Sequence, residues 1–364
     1  MLNFWKNKRV LLTGHTGFKG AWLSLWLDSL GAQILGYSLP PPTRPSLFHV
    51  LNLQDQICSV EGDIRNRDKL ESTVQAFCPE IVIHLAAQPL VRQSYKDPVS
   101  TYQVNVQGTV NLLEAVRASA SARVTVVVTS DKCYENREMI WPYRETDPMG
   151  GRDPYSSSKG CAELVCFAYG KSFFEPNMGN GSLATVRAGN VIGGGDWAND
   201  RLVPDVIRAL AKNSEISLRN PNAIRPWQHV LEPLFGYLLL ARFLYENGPI
   251  EVSGWNFGPD HYNNQTVGVV TSRVKSLWGG GSVVRVEGTS ENLHEAGLLT
   301  LDSTKARAAL GWVPVWNFEQ TMEQTVVWYK KYFAGQEMRE YSMHQLRAYE
   351  KASKGFQDTQ GAQA

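Results

Sequence analysis

Short runs of aliphatic and β-branched residues alternate with helix-spaced apolar positions through the first half of the chain. Lys8–Thr13 (KRVLLT) reads as a first strand, followed by a glycine-rich turn and an apolar helix near Phe18–Leu30. Gln33–Tyr37 reads as a second strand, and a third is expected just before Gly62. Glu80–Leu85 (EIVIHL) and Arg123–Thr129 (RVTVVVT) follow, nearly apolar throughout, as strands buried on both faces are. Thr101–Ala118, between these two, has helical spacing. Strands alternating with helices predict right-handed βαβ units and an α/β fold with a doubly wound parallel sheet.

The pattern loosens beyond Arg187, where glycine- and proline-rich segments separate helices such as the apolar Leu234–Leu244. This predicts a nucleotide-binding domain over residues 1–186. Residues 187–350 would form mainly a smaller substrate lobe, over the carboxyl edge of the sheet, with some segments returning to that sheet. Leu39–Pro45 (LPPPTRP) lacks the N–H donors to continue a helix or strand and reads as a loop. Residues 351–364 end in small polar side chains, a composition read as a disordered tail.

Composition narrows the class. The 36 basic and 35 acidic side chains nearly cancel, so no charge excess points to nucleic acid or a membrane surface. Met1–Arg9 lacks a signal-peptide layout, and no apolar run reaches the roughly 20 residues of a membrane span. Cys58, Cys78, Cys133, Cys161 and Cys166 are scattered and form no CxxC pair. A disulfide framework and a metal site are therefore not expected, and a cytoplasmic location is.

Thr13–Gly20 reads TGHTGFKG, with glycines at Gly14, Gly17 and Gly20 after a strand and at the start of a helix. That is the context a Rossmann dinucleotide cradle requires: Gly14 for the tight turn, Gly17 for close approach to a pyrophosphate, Gly20 for helix–strand packing. The helix amino end offers free N–H groups to the phosphates. His15 and Lys19 lie inside this turn and either lean on the pyrophosphate or face solvent. The second strand ends at Ser38, where a carboxylate would hold the ribose of NAD, so the choice between NAD and NADP stays open. Arg44 is placed either to meet a 2′-phosphate or to remain in solvent. Asp63, in Gly62-Asp63-Ile64, is placed either to reach the adenine or to cap the helix starting near Asn66.

Tyr155 and Lys159 (YSSSK) lie four apart, on one helix face. A sugar hydroxyl needs a base to lose its proton, and a nearby ammonium favours the phenolate. At the carboxyl end of the Arg123–Thr129 strand stands Ser130-Asp131-Lys132. Ser130 can hydrogen-bond a reacting sugar oxygen, Asp131 can act as a general acid, and Lys132 is either its partner or a base.

The TGxxGxxG turn, Leu85-Ala86-Ala87, Asn105–Thr109 (NVQGT) and Tyr155/Lys159 resemble the extended short-chain dehydrogenase/reductases. Ser130-Asp131-Lys132 resembles the strand-end triplet of the nucleoside-diphosphate-sugar 4,6-dehydratases in that family, with lysine in place of glutamate. That departure, with Arg187–Trp197 (RAGNVIGGGDW), Arg225–Val230 (RPWQHV), His294-Glu295-Ala296 and Leu310-Gly311-Trp312, is similar to the branch acting on CDP-glucose. The resemblance runs from about Lys8 to Trp328.

It implies tightly held NAD, contacted by the turn from Gly14 through His15, Thr16, Gly17, Phe18 and Lys19, by Ser38, Asp63, Ile64, Leu85, Ala86, Ala87 and Thr129, and by Tyr155 and Lys159. It implies a sugar nucleotide contacted by Gln88, Ser94, Asn190, Arg201, Arg225, Asn256 and His294, and a reaction of deoxysugar biosynthesis: oxidation at C4, loss of water across C5–C6, and hydride return to C6. Tyr155 would be the base at C4, Asp131 the acid at C6, and Lys132 would stand at the C5 base. It also implies a homo-oligomer, dimer or tetramer, joined through the Thr101–Ala118 and Tyr155–Lys171 helices, where Leu164, Phe167 and Tyr169 are apolar. A sugar-nucleotide 4-epimerase shares the turn and YxxxK but needs no acid at C6, and a non-catalytic dinucleotide sensor needs neither Tyr155 nor Lys159.

Overall fold

The computed structural model describes residues 2–174, 179–260, 263–286 and 297–361. The apolar runs form strands near their expected places: β1 (Arg9–Thr13), β2 (Gln33–Ser38), β3 (Cys58–Glu61), β4 (Ile81–His84), β5 (Val124–Val128) and β6 (Ser182–Ala188). Every residue of β4, β5 and β6 is buried, as the lack of alternation in their sequences implies. The remaining strands are β7 (Asn190–Ile192), β8 (Ile216–Leu218), β9 (Ile224–His229), β10 (Ser253–Phe257), β11 (Asn264–Thr266) and β12 (Val284–Val286).

The central sheet has seven strands in the order β10-β6-β5-β4-β1-β2-β3, all parallel. The order reverses between β1 and β4, and such a switch point opens the crevice where these sheets bind ligands. β10 returns to this sheet from beyond the smaller lobe, whose own sheets are β11-β9-β7 and β12-β8.

Successive strand residues point to opposite faces and feed two cores. Val10, Leu12, Ile81, Ile83 and Val126 pack with Trp22, Trp26 and the helix Leu231–Asn247 on one face. Leu11, Val82 and Val127 pack with Leu70, Leu112 and Cys166 on the other. The 101–118 region is not one regular helix. Pro98–Tyr102 leads through a π turn, Gln103–Gln107, into the helix Gly108–Ser119. The final helix spans Met338–Gly361, so the segment read as a disordered tail is helical as far as Gly361. Among the described residues no helix is long and apolar enough to cross a membrane, and no cluster of His, Cys, Asp or Glu could hold a metal ion.

Candidate active site

The glycine turn is built as its spacing requires. Gly14 has φ +75°, and a Cβ there would stand 2.7 Å from the backbone nitrogen of Ala86. A Cβ on Gly20 would stand 2.1 Å from the carbonyl oxygen of Gly14, so helix and turn meet too closely for a side chain. Gly17 caps the helix Phe18–Ser29 with no side-chain hydrogen bond, which leaves the first-turn amides open to an anion at the sheet's switch point. These features fit a dinucleotide diphosphate. Leu85, Ala86 and Ala87 follow β4 directly on the other lip of the crevice.

Other residues of the expected cradle are placed differently. The His15 imidazole neither leans on the turn nor meets solvent. It is buried, bonded through Nε2 to Ser59 Oγ at 2.7 Å and packed edge-on to Phe48, and burial holds its pKa down to about 4. Lys19 also turns inward. It donates to the Tyr237 hydroxyl at 3.4 Å, and burial and the Arg201 charge lower its pKa to about 7, against the pull of Asp131. Thr16 and Ser38 share a hydrogen bond of 2.8 Å, closing β2 onto the turn. Asp63 does not cap the next helix, because Asn66 does, accepting from Lys69 N. Asp63 binds Arg65 instead, with contacts down to 2.6 Å, and that ion pair holds its carboxyl below the usual range. Ile64 is buried, Phe18 is half-buried, and Arg44 is exposed.

Tyr155 and Lys159 open the helix Pro154–Phe173. Its start is fixed by Pro154 in the first turn and by the Asp153 side chain, which accepts from Ser156 N at 2.9 Å. The π turn supplies a second fastening: Asn105 Nδ2 donates to Ser158 Oγ at 2.9 Å and to the Gln88 carbonyl at 3.1 Å. The Tyr155 hydroxyl faces Ser130. Burial pushes the phenol up to about 12, and the Ser130 hydroxyl works against that rise. Lys159 is buried and donates to the Val128 carbonyl at 3.3 Å, and burial lowers its pKa to about 8.

The strand-end triplet lies beside this pair. Ser130 Oγ donates to Asp131 Oδ1 at 2.9 Å and accepts from Lys132 N at 3.2 Å, forming a short turn over Asp131–Cys133. Asp131 Oδ2 is buried with no hydrogen-bond partner among the described residues. The cleft thus holds a phenol, a hydroxyl, a carboxyl with a spare oxygen and the ammonium groups of Lys19 and Lys159. Together they can take a proton from one substrate atom and give one to another.

Of the expected sugar-nucleotide contacts, Arg201 belongs to this cleft. It pairs with Asp196 at 2.8 Å and lies close enough to Tyr155 and Lys19 to act on both electrostatically. Asn190 is half-buried at the start of β7. Arg225 lies on β9 and donates to the carbonyls of Ile224 and Gly297 at 2.8 and 3.2 Å. His294 lies outside the described residues.

Three expected contacts have their polar side-chain atoms engaged within the protein. Ser94 is fully buried, with its hydroxyl donating to the Val91 carbonyl and accepting from Tyr155 N, so it fastens the start of the Tyr155 helix. Gln88 ties its own loop, through Leu90 and Thr101. Asn256 is fully buried: Oδ1 accepts from the Tyr134 hydroxyl at 2.8 Å, and Nδ2 donates to the carbonyls of Tyr143 and Asp302.

A buried network went unseen in the sequence. Glu163 Oε1 accepts from the Thr129 hydroxyl and from Arg187 Nε at 2.9 Å. Glu163 Oε2 accepts from the Thr185 hydroxyl at 2.6 Å and from Arg187 Nη2 at 2.8 Å. Arg187 Nη1 continues to the Tyr134 hydroxyl at 2.6 Å. The hydroxyl of Thr129, a residue expected at the cofactor, is taken up by Glu163. The available signal was a glutamate four residues after Lys159, on the same helix face.

Comparison with known proteins agrees with this architecture. The family model described as GDP-mannose 4,6 dehydratase matches residues 11–325. CDP-glucose 4,6-dehydratase of Salmonella typhimurium is 50% identical over 96% of this chain and 98% of that protein. The dTDP-glucose 4,6-dehydratase of Bacillus anthracis, solved with NAD, superposes with TM-score 0.75 at 23% identity, over 89% of this chain and 97% of its own. UDP-glucose 4-epimerase of Thermus thermophilus, also solved with NAD, gives TM-score 0.76 at 24% identity, over 88% and 99%. With the switch-point cradle and the Tyr155–Lys159 helix in place, a match over most of its length makes this chain a member of the GDP-mannose 4,6-dehydratase family of the extended short-chain dehydrogenase/reductases.

Proposed function

We propose that the protein converts CDP-glucose to CDP-4-keto-6-deoxyglucose with NAD as its resident cofactor. The observation that carries this reading is Asp131, buried beside the Tyr155–Ser130 pair with one carboxyl oxygen unpartnered among the described residues. A 4-epimerase needs the phenol and the hydroxyl, but no proton donor aimed at a second sugar carbon. The 50% identity to the Salmonella CDP-glucose 4,6-dehydratase supports the nucleotide and the sugar.

Gly14, Gly17 and the open amides after Gly17 would hold the dinucleotide diphosphate, with Lys159 beside the ribose nearest the chemistry. When bound, NAD would supply the hydride chemistry, as acceptor for C4 and donor for C6. Tyr155, ionised against the pull of burial by the Ser130 hydroxyl and nearby positive charge such as Arg201, takes the proton of the C4 hydroxyl, which Ser130 holds by a hydrogen bond. Oxidation at C4 acidifies the C5 hydrogen, Lys132 removes it, and Asp131 protonates the departing C6 hydroxyl; the proton held by Lys132 goes back to C5 as the hydride reaches C6. Arg201 suits the diphosphate because its planar fork pairs phosphate oxygens.

The same reading makes the protein a cytoplasmic homo-oligomer of deoxysugar biosynthesis for the lipopolysaccharide O-antigen. Leu164 and Phe167 are 59% and 54% exposed on the Pro154–Phe173 helix, which suits a helix face covered by a second copy.

The test is incubation with CDP-glucose and NAD, with UDP-glucose and dTDP-glucose alongside, followed by mass spectrometry. Loss of one water from CDP-glucose alone is the expected result. Conversion to a galactose nucleotide without water loss would replace this reading by the epimerase. NAD binding without turnover of any sugar nucleotide would replace it by a sensor.

A further inference from the structure

Glu163 and Lys159 stand one helical turn apart, both buried, yet they do not bond to each other. A carboxylate alone at that spacing would capture the ammonium directly. Here its lone pairs are already taken by four donors, from Thr129, Thr185, Arg187 Nε and Arg187 Nη2. A carboxylate offers about four acceptor sites, so none remains for Lys159. The Lys159 amino group bonds instead to the Val128 carbonyl, at the end of the strand that leads into Ser130 and Asp131.

We propose that Glu163 is a positioning residue that acts through Lys159, and that Arg187 makes this possible by saturating its carboxylate. Glu163 supplies negative charge that keeps Lys159 protonated in a dry interior, without drawing the ammonium out of the cleft. Through Thr129 the same carboxylate fastens the strand end that carries Ser130 and Asp131. One ion pair therefore sets both the charge of Lys159 and the tie between helix and strand end. The inference rests on the catalytic roles proposed above.

The surroundings of Lys159 agree. Burial lowers its pKa to about 8, and Glu163 is the largest influence opposing that fall. The Cys133 and Cys166 thiols are pushed well above their usual value by burial and are neutral at working pH. Lys19 and His84 also feel Lys159. Lys19 is a cation held down to about 7, and His84 is held neutral near 3 by its burial.

Opposite substitutions test the idea, because a merely structural pair would move Lys159 the same way from either side. In protein labelled with 13C at lysine Cε, the Lys159 resonance, assigned by its loss in Lys159→Met, reports ionisation without reference to turnover. Glu163→Gln is expected to lower the Lys159 midpoint by about one pH unit or more, since a buried cation loses its nearby anion. Arg187→Gln frees acceptor sites on Glu163 and is expected to raise that midpoint while kcat falls. Should either single variant fail to fold, Glu163→Gln with Arg187→Gln removes both charges and keeps a hydrogen-bonded pair. Its midpoint is expected below that of the wild type, because the nearer charge is the negative one.

The basic limb of the kcat profile should move with the resonance. An unmoved Lys159 midpoint in the folded variants overturns the proposal even if the protein dehydrates CDP-glucose. Shifted midpoints with no turnover by the wild type would uphold the electrostatic coupling and overturn the catalytic role given to it.

Discussion

The Ser94 hydroxyl accepts the backbone N–H of Tyr155 at 3.1 Å, across 61 residues of sequence. That N–H belongs to the first turn of its helix and has no partner within the helix. Ser94 satisfies it and fixes the height at which the Tyr155 ring enters the cleft. Ser94→Ala should cost about 1–3 kcal/mol of stability, the range for a buried donor left unpaired. It should lower kcat by about tenfold while KM stays near its original value, since a displaced base weakens the transition state more than substrate binding. Thermal unfolding and steady-state kinetics of the same preparation check this. A raised KM at constant kcat would return Ser94 to the sugar-nucleotide contacts.

Asn256 gives the converse case. Its amide joins Tyr134, Tyr143 and Asp302 and has no free donor or acceptor directed at a ligand. Asn256→Ala should destabilise the fold by about 3 kcal/mol, with the partners left unpaired in a dry interior. The KM for CDP-glucose should be unchanged in whatever protein remains folded. A rise in KM without loss of urea resistance would contradict the placement.

Three buried imidazoles set the acid side of the stability curve. His15 is held down to about 4, and His84 and His229 to about 3, each chiefly by burial. Below the ordinary value of about 6.5 the unfolded chain takes up protons that these folded groups refuse, so stability falls as pH drops from 6.5 toward 4. Each contributes a slope of up to about 1.4 kcal/mol per pH unit. Glu232 opposes one of them. Its buried carboxyl is pushed up to about 7, so the folded form takes its proton first. The net expectation is a loss of nearly 3 kcal/mol per unit between about pH 6 and 4.5. Urea midpoints at pH 7, 6 and 5 measure it. His229→Phe should flatten the slope by one proton, because that ring packs between Trp22 and Trp316 with Nε2 unpartnered among the described residues.

Lys132 is held by its backbone N–H to Ser130 Oγ, and its ammonium makes no hydrogen bond or ion pair among the described residues. Lys132→Ala should therefore leave the fold intact. It should reduce C5 proton exchange with deuterated solvent by at least about a hundredfold, the usual contribution of a positioned base, and C4 oxidation far less. Unchanged exchange would remove Lys132 from the C5 step.

Much of this was legible in the chain alone, because the deciding physics was local. An unbroken run such as Val124–Val128 admits one role, a strand covered on both faces. Glycines at 14, 17 and 20 after such a strand restrict the backbone to a phosphate-binding turn. Tyr155 and Lys159 share a face through helical spacing, and Ser130–Lys132 lie at a strand end, so periodicity placed each group near the cleft. The inward turn of His15, the retirement of Asn256 and Ser94 into hydrogen-bond networks, and the Glu163–Arg187 pair depended on contacts 24 to 122 residues apart. A polar side chain looks the same in sequence whether it meets a ligand or satisfies a buried partner. Only the packing of distant segments decides, since a buried donor or acceptor must bond to whatever the fold brings beside it.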